Sequence, residues 1–327
     1  MLLLRANRST RRNRLERVRK TSAVLASLSL AVLALTGCTA SASYDGAACD
    51  RSADANDIQD AVTVEGDFGA APDVSVFSPL HLKKSSYADI TVGDGRTIVN
   101  GQQALTVELS IFSGETGEKV YATAYDEDKG QVSNADYWAS QSPGLAKAFE
   151  CATEGSRIVA GLTPEDFGKE ALSGLGLSDD DNMVFVIDVL DVFLSKAEGS
   201  LQFNDAQGMP TVVRAADGTP GIIVPDSAAP KEQVVQTLIK GDGEKVGADQ
   251  IPLVNVTAVN WDDKSVVNST WGQGPSGDLA STVPTVAEEL VGKTVGSQLL
   301  VVTPGAEGAA AIVYVIDILG AVTAPTQ

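Results

Sequence analysis

Val184-Phe185-Val186-Ile187-Asp188-Val189-Leu190 and Val313-Tyr314-Val315-Ile316-Asp317-Ile318-Leu319 decide the fold. Each is apolar at nearly every position, rich in β-branched residues and short. A strand with one wet face alternates; a run without alternation has no wet face, so each stretch predicts a strand buried on both sides, central in its sheet. The same pattern with aspartate fifth occurs twice, which directs attention to a long internal repeat.

Working outward, further landmarks recur in one order. Pro72-Asp73-Val74-Ser75-Val76 answers to Pro210-Thr211-Val212-Val213-Arg214, and Gly93-Asp94-Gly95 to Gly241-Asp242-Gly243. Ala104–Leu109 pairs with Leu253–Ala258, and Lys119–Tyr125 with Ser265–Trp271. A helical stretch follows, Pro143–Phe149 in one copy and Pro284–Leu290 in the other, leading into Glu154-Gly155-Ser156-Arg157 and Val295-Gly296-Ser297-Gln298. Two copies of one domain are expected, at 61–195 and 205–324, with Lys196–Ser200 as the hinge. The fold class is α+β, each copy an antiparallel sheet wrapped on one short helix.

The N-terminus reads differently. Arg5, Arg8, Arg11, Arg12, Arg14, Arg17, Arg19 and Lys20 precede an apolar run from Ser22 to Leu35, then Leu35-Thr36-Gly37-Cys38. A basic region and an apolar run too short to span a bilayer describe an export signal. Its ending resembles a bacterial lipobox, which implies a signal peptide at 1–37, a lipid on Cys38, a tether at 38–60 and a place on the outer face of the cell membrane. Residues 1–37 hold 8 basic residues and 1 acidic one, so the remainder carries 16 basic and 42 acidic residues, a net charge of −26. Such a surface repels nucleic acid and anionic lipid headgroups. Cys49 and Cys151 remain, an even pair in an exported chain, and are expected to form a structural disulfide.

The ordered landmarks resemble those of the FKBP-type peptidyl-prolyl cis-trans isomerases, with Gly241 to Leu319 following the family pattern and Gly296-Ser297 and the closing strand matching best. The whole resembles bacterial, actinobacterial-type lipoproteins with paired FKBP-like domains. The resemblance implies a cup for proline in the second copy, lined by Tyr314, Val256, Val267, Asn268, Val283 and Val286. It implies partners that are proline-containing peptides or unfolded exported proteins, a monomer, and no cofactor. The family's aromatic walls are mostly aliphatic here: Tyr314 alone survives in the second copy. The first copy places Leu109, Tyr121, Ala122, Gln141-Ser142, Leu145 and Phe185 at the corresponding positions, and its longer loop 161–181 carries Phe167. Two readings stay open: an isomerase or isomerase-like folding helper, and a non-catalytic binding module with vestigial pockets.

Other chemistry is not supported by the residues. His81, the single histidine, reads as a partly exposed strand residue, and no His/Cys/Glu set has metal-ligand spacing. Asp179–Asn182 lacks the alternating ligands of a calcium loop and reads as a solvated turn. Trp261 and Trp271 flank a turn and read as hairpin packing.

Overall fold

The computed structural model describes residues 43–49, 51, 57–125, 132–203, 206–306 and 309–323. The expected signal peptide, Cys38 and residues 38–42, 50 and 52–56 of the expected tether lie outside the described residues. The first half runs β1 (Ser43–Tyr44), β2 (Ala47–Ala48), α1 (Asp57–Ala61), β3 (Val62–Glu65), β4 (Asp73–Val76), β5 (Ser86–Thr91), β6 (Ala104–Ser113), β7 (Lys119–Ala122), β8 (Val132–Asn134), α2 (Ala135–Gln141), α3 (Leu145–Phe149), β9 (Arg157–Leu162), α4 (Pro164–Phe167), α5 (Lys169–Gly174) and β10 (Met183–Val192). The second half runs β11 (Ser200–Leu201), β12 (Thr211–Arg214), β13 (Pro220–Ile223), β14 (Val234–Lys240), β15 (Gln250–Asn260), β16 (Val266–Ser269), α6 (Leu279–Thr282), α7 (Pro284–Ala287), a 3-10 turn at Glu288–Leu290, β17 (Gln298–Thr303) and β18 (Ile312–Thr323).

Two six-stranded antiparallel sheets form, in the orders β5-β9-β10-β6-β7, with β8 also on β6, and β11-β14-β17-β18-β15-β16. The repeated closing strands β10 and β18 lie inside their sheets, paired on both sides. On β10, Phe185, Ile187 and Val189 pack with Leu109, Leu145 and Phe149, while Val184 and Val186 pack on the opposite face with Ile58, Val62 and Leu80. On β18, Ile316 and Ile318 meet Val256, Val286 and Leu290, and Val313 and Val315 meet Val224, Leu238 and Trp261. Each sheet is thus sandwiched between helical turns and a β-hairpin, which is why the closing strand needs no polar face. Each large side chain so buried contributes roughly 1.5–3 kcal/mol.

The molecule is richer in sheet than one antiparallel sheet on one short helix. The hairpins β3–β4 and β12–β13 add a layer, and the helical stretch is broken into single turns; α2, at 7 residues, is the longest described helix. Proline causes the break in both halves: Pro143 follows α2, and Pro284 opens α7 directly after α6, where it offers no N–H to continue a helix.

The Gly-Asp-Gly landmarks close a clasp. Gly93 N–H donates to Ser156 Oγ (3.0 Å) and Thr153 Oγ1 to Gly93 O (2.8 Å); Gly241 N–H donates to Ser297 Oγ (3.0 Å) and Thr294 Oγ1 to Gly241 O (2.8 Å). A Cβ on Gly93 would sit 1.9 Å from Glu154 O, and one on Gly241 2.1 Å from Val295 O, so only glycine permits this approach.

The repeated aspartates are the buried polar residues of the closing strands. Asp188 is buried and bidentate with Arg157 (2.6 and 2.7 Å). Asp317 instead accepts from Gln298 Nε2 (2.6 Å) and Ala197 N (2.8 Å), and Arg214 Nε on β12 donates to Gln298 Oε1 (2.7 Å). Burial pushes the Asp317 carboxyl up to about 6, against the pull of those donors and of Arg214. A carboxyl whose folded value lies above its unfolded one favours folding while protonated. That contribution is complete below about pH 4 and is lost as pH rises through about 6. Carbon-detected NMR is expected to show Asp317 titrating near pH 6, and Arg214→Gln to move it higher; an ordinary value near about 4 contradicts this.

The expected hinge is pinned rather than free. Leu194 N–H donates to Leu319 O (3.1 Å), Ala197 N–H to Asp317, and Glu198 N–H to Gly296 O (3.0 Å), so the linker is laid along the second sheet. At the other end, Asp45 N–H donates to Val99 O (2.9 Å) and Tyr44 packs on the first core. Cys49 is bonded to Cys151, as expected. Arg51 reinforces the attachment, paired with Asp89 (2.6 Å), donating to Glu150 O (2.8 Å) and lying over the Tyr87 ring.

Candidate functional site

Each half carries a cup on the helical side of its sheet. The first is a cavity of about 570 Å³. Its floor is Phe185 from β10, Leu109 from β6, Leu145 from α3 and Phe167 from α4, all buried. Phe167 and Phe185 meet with ring centroids 5.9 Å apart and tilted by 51°. Tyr137 and Trp138 from α2 and Tyr121 from β7 form the walls, and Tyr121 and Tyr137 are about half exposed at 49 % and 46 %.

Local chemistry fixes these walls. Asn134 caps α2 by accepting Tyr137 N–H (2.7 Å). Trp138 Nε1 donates to Ser133 Oγ (2.9 Å), and its ring meets Tyr137 edge-on at 5.2 Å. Thr163 caps α4, which carries Phe167 to the floor. Among the described lining residues no histidine, lysine or arginine appears, and the single carboxylate, Glu108, accepts Tyr125 N–H (3.1 Å). Burial raises the Tyr125 phenol to about 12, so it stays protonated and held by Ser110 Oγ (2.9 Å). The cup can receive an apolar side chain and exclude water; it holds no acid–base pair.

The second cup measures about 340 Å³. The structure brings Val256, Val267, Asn268, Val283 and Tyr314 together around it, with Leu279 and Thr282. Val286 does not reach it: its side chain is fully buried in the core. Tyr314 is the sole aromatic lining residue described, and burial pushes its phenol above the ordinary value against a hydrogen bond with Thr303.

The halves correct the pairing of Lys119–Tyr125 with Ser265–Trp271 by one residue. Thr123 N–H donates to Leu109 O (2.9 Å) and its hydroxyl accepts Leu109 N–H (2.9 Å); Thr270 makes the same two bonds with Val256 (3.0 Å each). Thr123 is therefore equivalent to Thr270, and Tyr121, facing Ile111, to Asn268, facing Ala258. The first cup's exposed ring is a carboxamide in the second.

Sequence reading passed over Tyr137 and Trp138. The Asn134 cap before an aromatic pair was their available signal. His81 is exposed in a loop before β5, not in a strand. In Asp179–Asn182, Asp181 is buried and accepts Ser113 Oγ (2.6 Å) and Glu115 N–H (2.9 Å), so half of the expected solvated turn braces the sheet end. Trp261 is hairpin packing, donating to Ser227 O (2.9 Å).

No protein-family model and no curated protein matches the chain. Among solved structures, it is similar to the three FKBP domains of wheat FKBP73, at 14% identity over 73% of this chain and 94% of that one, with a TM-score of 0.32. A peptidyl-prolyl cis-trans isomerase of Pseudomonas syringae pv. tomato matches at 16% identity over 33% of this chain and 74% of that one (TM-score 0.28). FkpA from Escherichia coli matches at 19% over 37% and 55% (TM-score 0.26). Likeness at these TM-scores decides nothing by itself.

Proposed function

We propose that this chain is an FKBP-type peptide-binding folding helper that accelerates prolyl isomerisation in its first cup. It would be held by a lipid on Cys38 at the outer face of a cell membrane, with its two halves acting as tandem FKBP-like domains at 61–195 and 205–324. The observation that carries the reading is the 570 Å³ cup with five aromatic side chains, Tyr121, Tyr137, Trp138, Phe167 and Phe185. Prolyl isomerisation needs no nucleophile or proton carrier. Its barrier of ~18–20 kcal/mol comes from amide resonance, and an apolar, water-poor cup that fits the twisted amide lowers it. The lining chemistry agrees: rings and aliphatics, with no base.

The second half supports a different role. Its smaller cup has one ring, Tyr314, and Asn268 where the first has Tyr121. It holds peptide weakly and does not catalyse.

A protease-coupled assay on a prolyl peptide tests the reading. Micromolar protein is expected to accelerate cis-to-trans conversion. Tyr121→Ala, at a half-exposed rim, is expected to keep the fold and lower kcat/KM about tenfold, a loss of about 1.4 kcal/mol. No acceleration, with the Trp138 indole signal still shifting on peptide addition, leaves peptide binding alone.

A further inference from the structure

The second cup differs from the first in what its polar groups leave unspent. Most are committed to the fold. Thr270 Oγ1 donates to Asn255 Oδ1 (3.0 Å) and accepts Val256 N–H (3.0 Å), Ser276 Oγ accepts Asp278 N–H (3.0 Å), and Thr282 Oγ1 donates to Asp278 O (3.1 Å). Two lining groups keep their capacity. The Asp278 carboxylate and the Asn268 carboxamide have no hydrogen-bond or ion-pair partner among the described residues, and both residues are exposed. Asp278 stands directly before α6, where a short polar side chain ordinarily caps the helix. In the first half Asn134 holds the place before α2 and spends its oxygen on Tyr137 N–H (2.7 Å). Asp278 makes no such bond, so its carboxylate is left to the cup.

These groups define an occupant. No lysine, arginine or histidine occurs among the described lining residues, so an anion meets only repulsion from Asp278. One carboxylate and one amide oxygen fall far short of a calcium shell, and among the described residues no set of three metal-ligating side chains occurs. A neutral aliphatic side chain fills the space between the valines but satisfies neither oxygen-bearing group. A lysine side chain does both: its methylene stem suits Val256, Val267 and Val283, and its ammonium brings three donors and no acceptor to Asp278 and Asn268. The chain's 43 acidic residues against 24 basic ones add a field that draws such a segment in.

We propose that the second cup binds a lysine side chain of an extended peptide segment, its stem on the valines and its ammonium between Asp278 and Asn268. The proposal rests on the second cup holding peptide and is independent of prolyl isomerisation in the first. The test titrates the full chain with a capped alanine-lysine-alanine tripeptide and with its norleucine and glutamate counterparts, none of which contains proline, and follows the Val256 and Val267 methyl signals by NMR. Saturable movement with the lysine peptide is expected at a Kd of about 1 mM, about fivefold tighter than with norleucine, and none with glutamate. Asp278→Asn, an isosteric change at an exposed position, is expected to bring the lysine peptide to the norleucine level, and sodium chloride at about 1 M to do the same to the parent. The proposal is overturned if norleucine binds as tightly as lysine, or if Asp278→Asn binds the lysine peptide as the parent does; either result leaves the cup holding peptide without choosing lysine. No saturable shift from any of the three peptides overturns both the proposal and the peptide-holding role.

Discussion

Arg157→Gln is expected to destabilise the protein by about 3–5 kcal/mol, because removing one member of a buried ion pair strands the other. Asp188 would keep its carboxylate inside the first sheet with its bidentate partner gone. Arg157 also donates to Gly66 O (2.8 Å), Asp67 O (2.8 Å) and Ala70 O (3.2 Å), so it ties the β3–β4 hairpin to the sheet. Glutamine cannot reach all of these. The substitution copies the second half, where Gln298 faces Asp317, but there Arg214 supplies the cation from the hairpin side. With no such arginine on β3 or β4, the copy is incomplete. Chemical unfolding followed by circular dichroism measures the effect. A loss under about 1 kcal/mol would show that the pair is worth no more than an exposed one.

The second large effect concerns Cys49–Cys151. The bond joins residues 102 apart in sequence, and closing a loop of about 100 residues removes roughly 4.7 kcal/mol of unfolded-chain entropy in the loop-closure model. Cys49→Ser with Cys151→Ser is expected to cost about 4 kcal/mol in urea unfolding. Cys151 also holds a left-handed backbone, φ 59°, and the equivalent residue of the second half is Gly292, φ 78°. Without the disulfide, glycine is the better occupant. Cys49→Ser with Cys151→Gly is expected to recover about 1 kcal/mol relative to the double serine variant. A glycine variant no more stable than the serine one would remove this account of the repeat's one cysteine-for-glycine exchange.

The closing strands were legible because burial on both faces writes an uninterrupted apolar run, and the Gly-Asp-Gly turns because no side chain fits where Gly93 and Gly241 meet the opposite turn. The disulfide was legible as the even pair left in a chain whose N-terminus reads as an export signal. The first cup was not. Its walls come from α2, and Tyr137 and Trp138 have no aromatic counterpart before Pro284, so comparing the copies hid them. The one-residue slip at Tyr121 has a similar origin. The turns 114–118 and 261–265 differ, and irregular pairing follows Ile111 and Ala258, so side-chain pattern alone could not fix the register.

The docking of Tyr44 and Asp45 sets a working distance. Under the lipidation proposed for Cys38, 5 residues lie between the lipid-bearing cysteine and Tyr44, six steps along the chain. A fully extended chain covers at most about 3.3–3.6 Å per residue, so the leash reaches only about 20 Å, less than the thickness of a bilayer. A body held that closely does not patrol the surrounding space. Under that proposal its clients would be met at the membrane surface, where newly exported chains would arrive before they have folded.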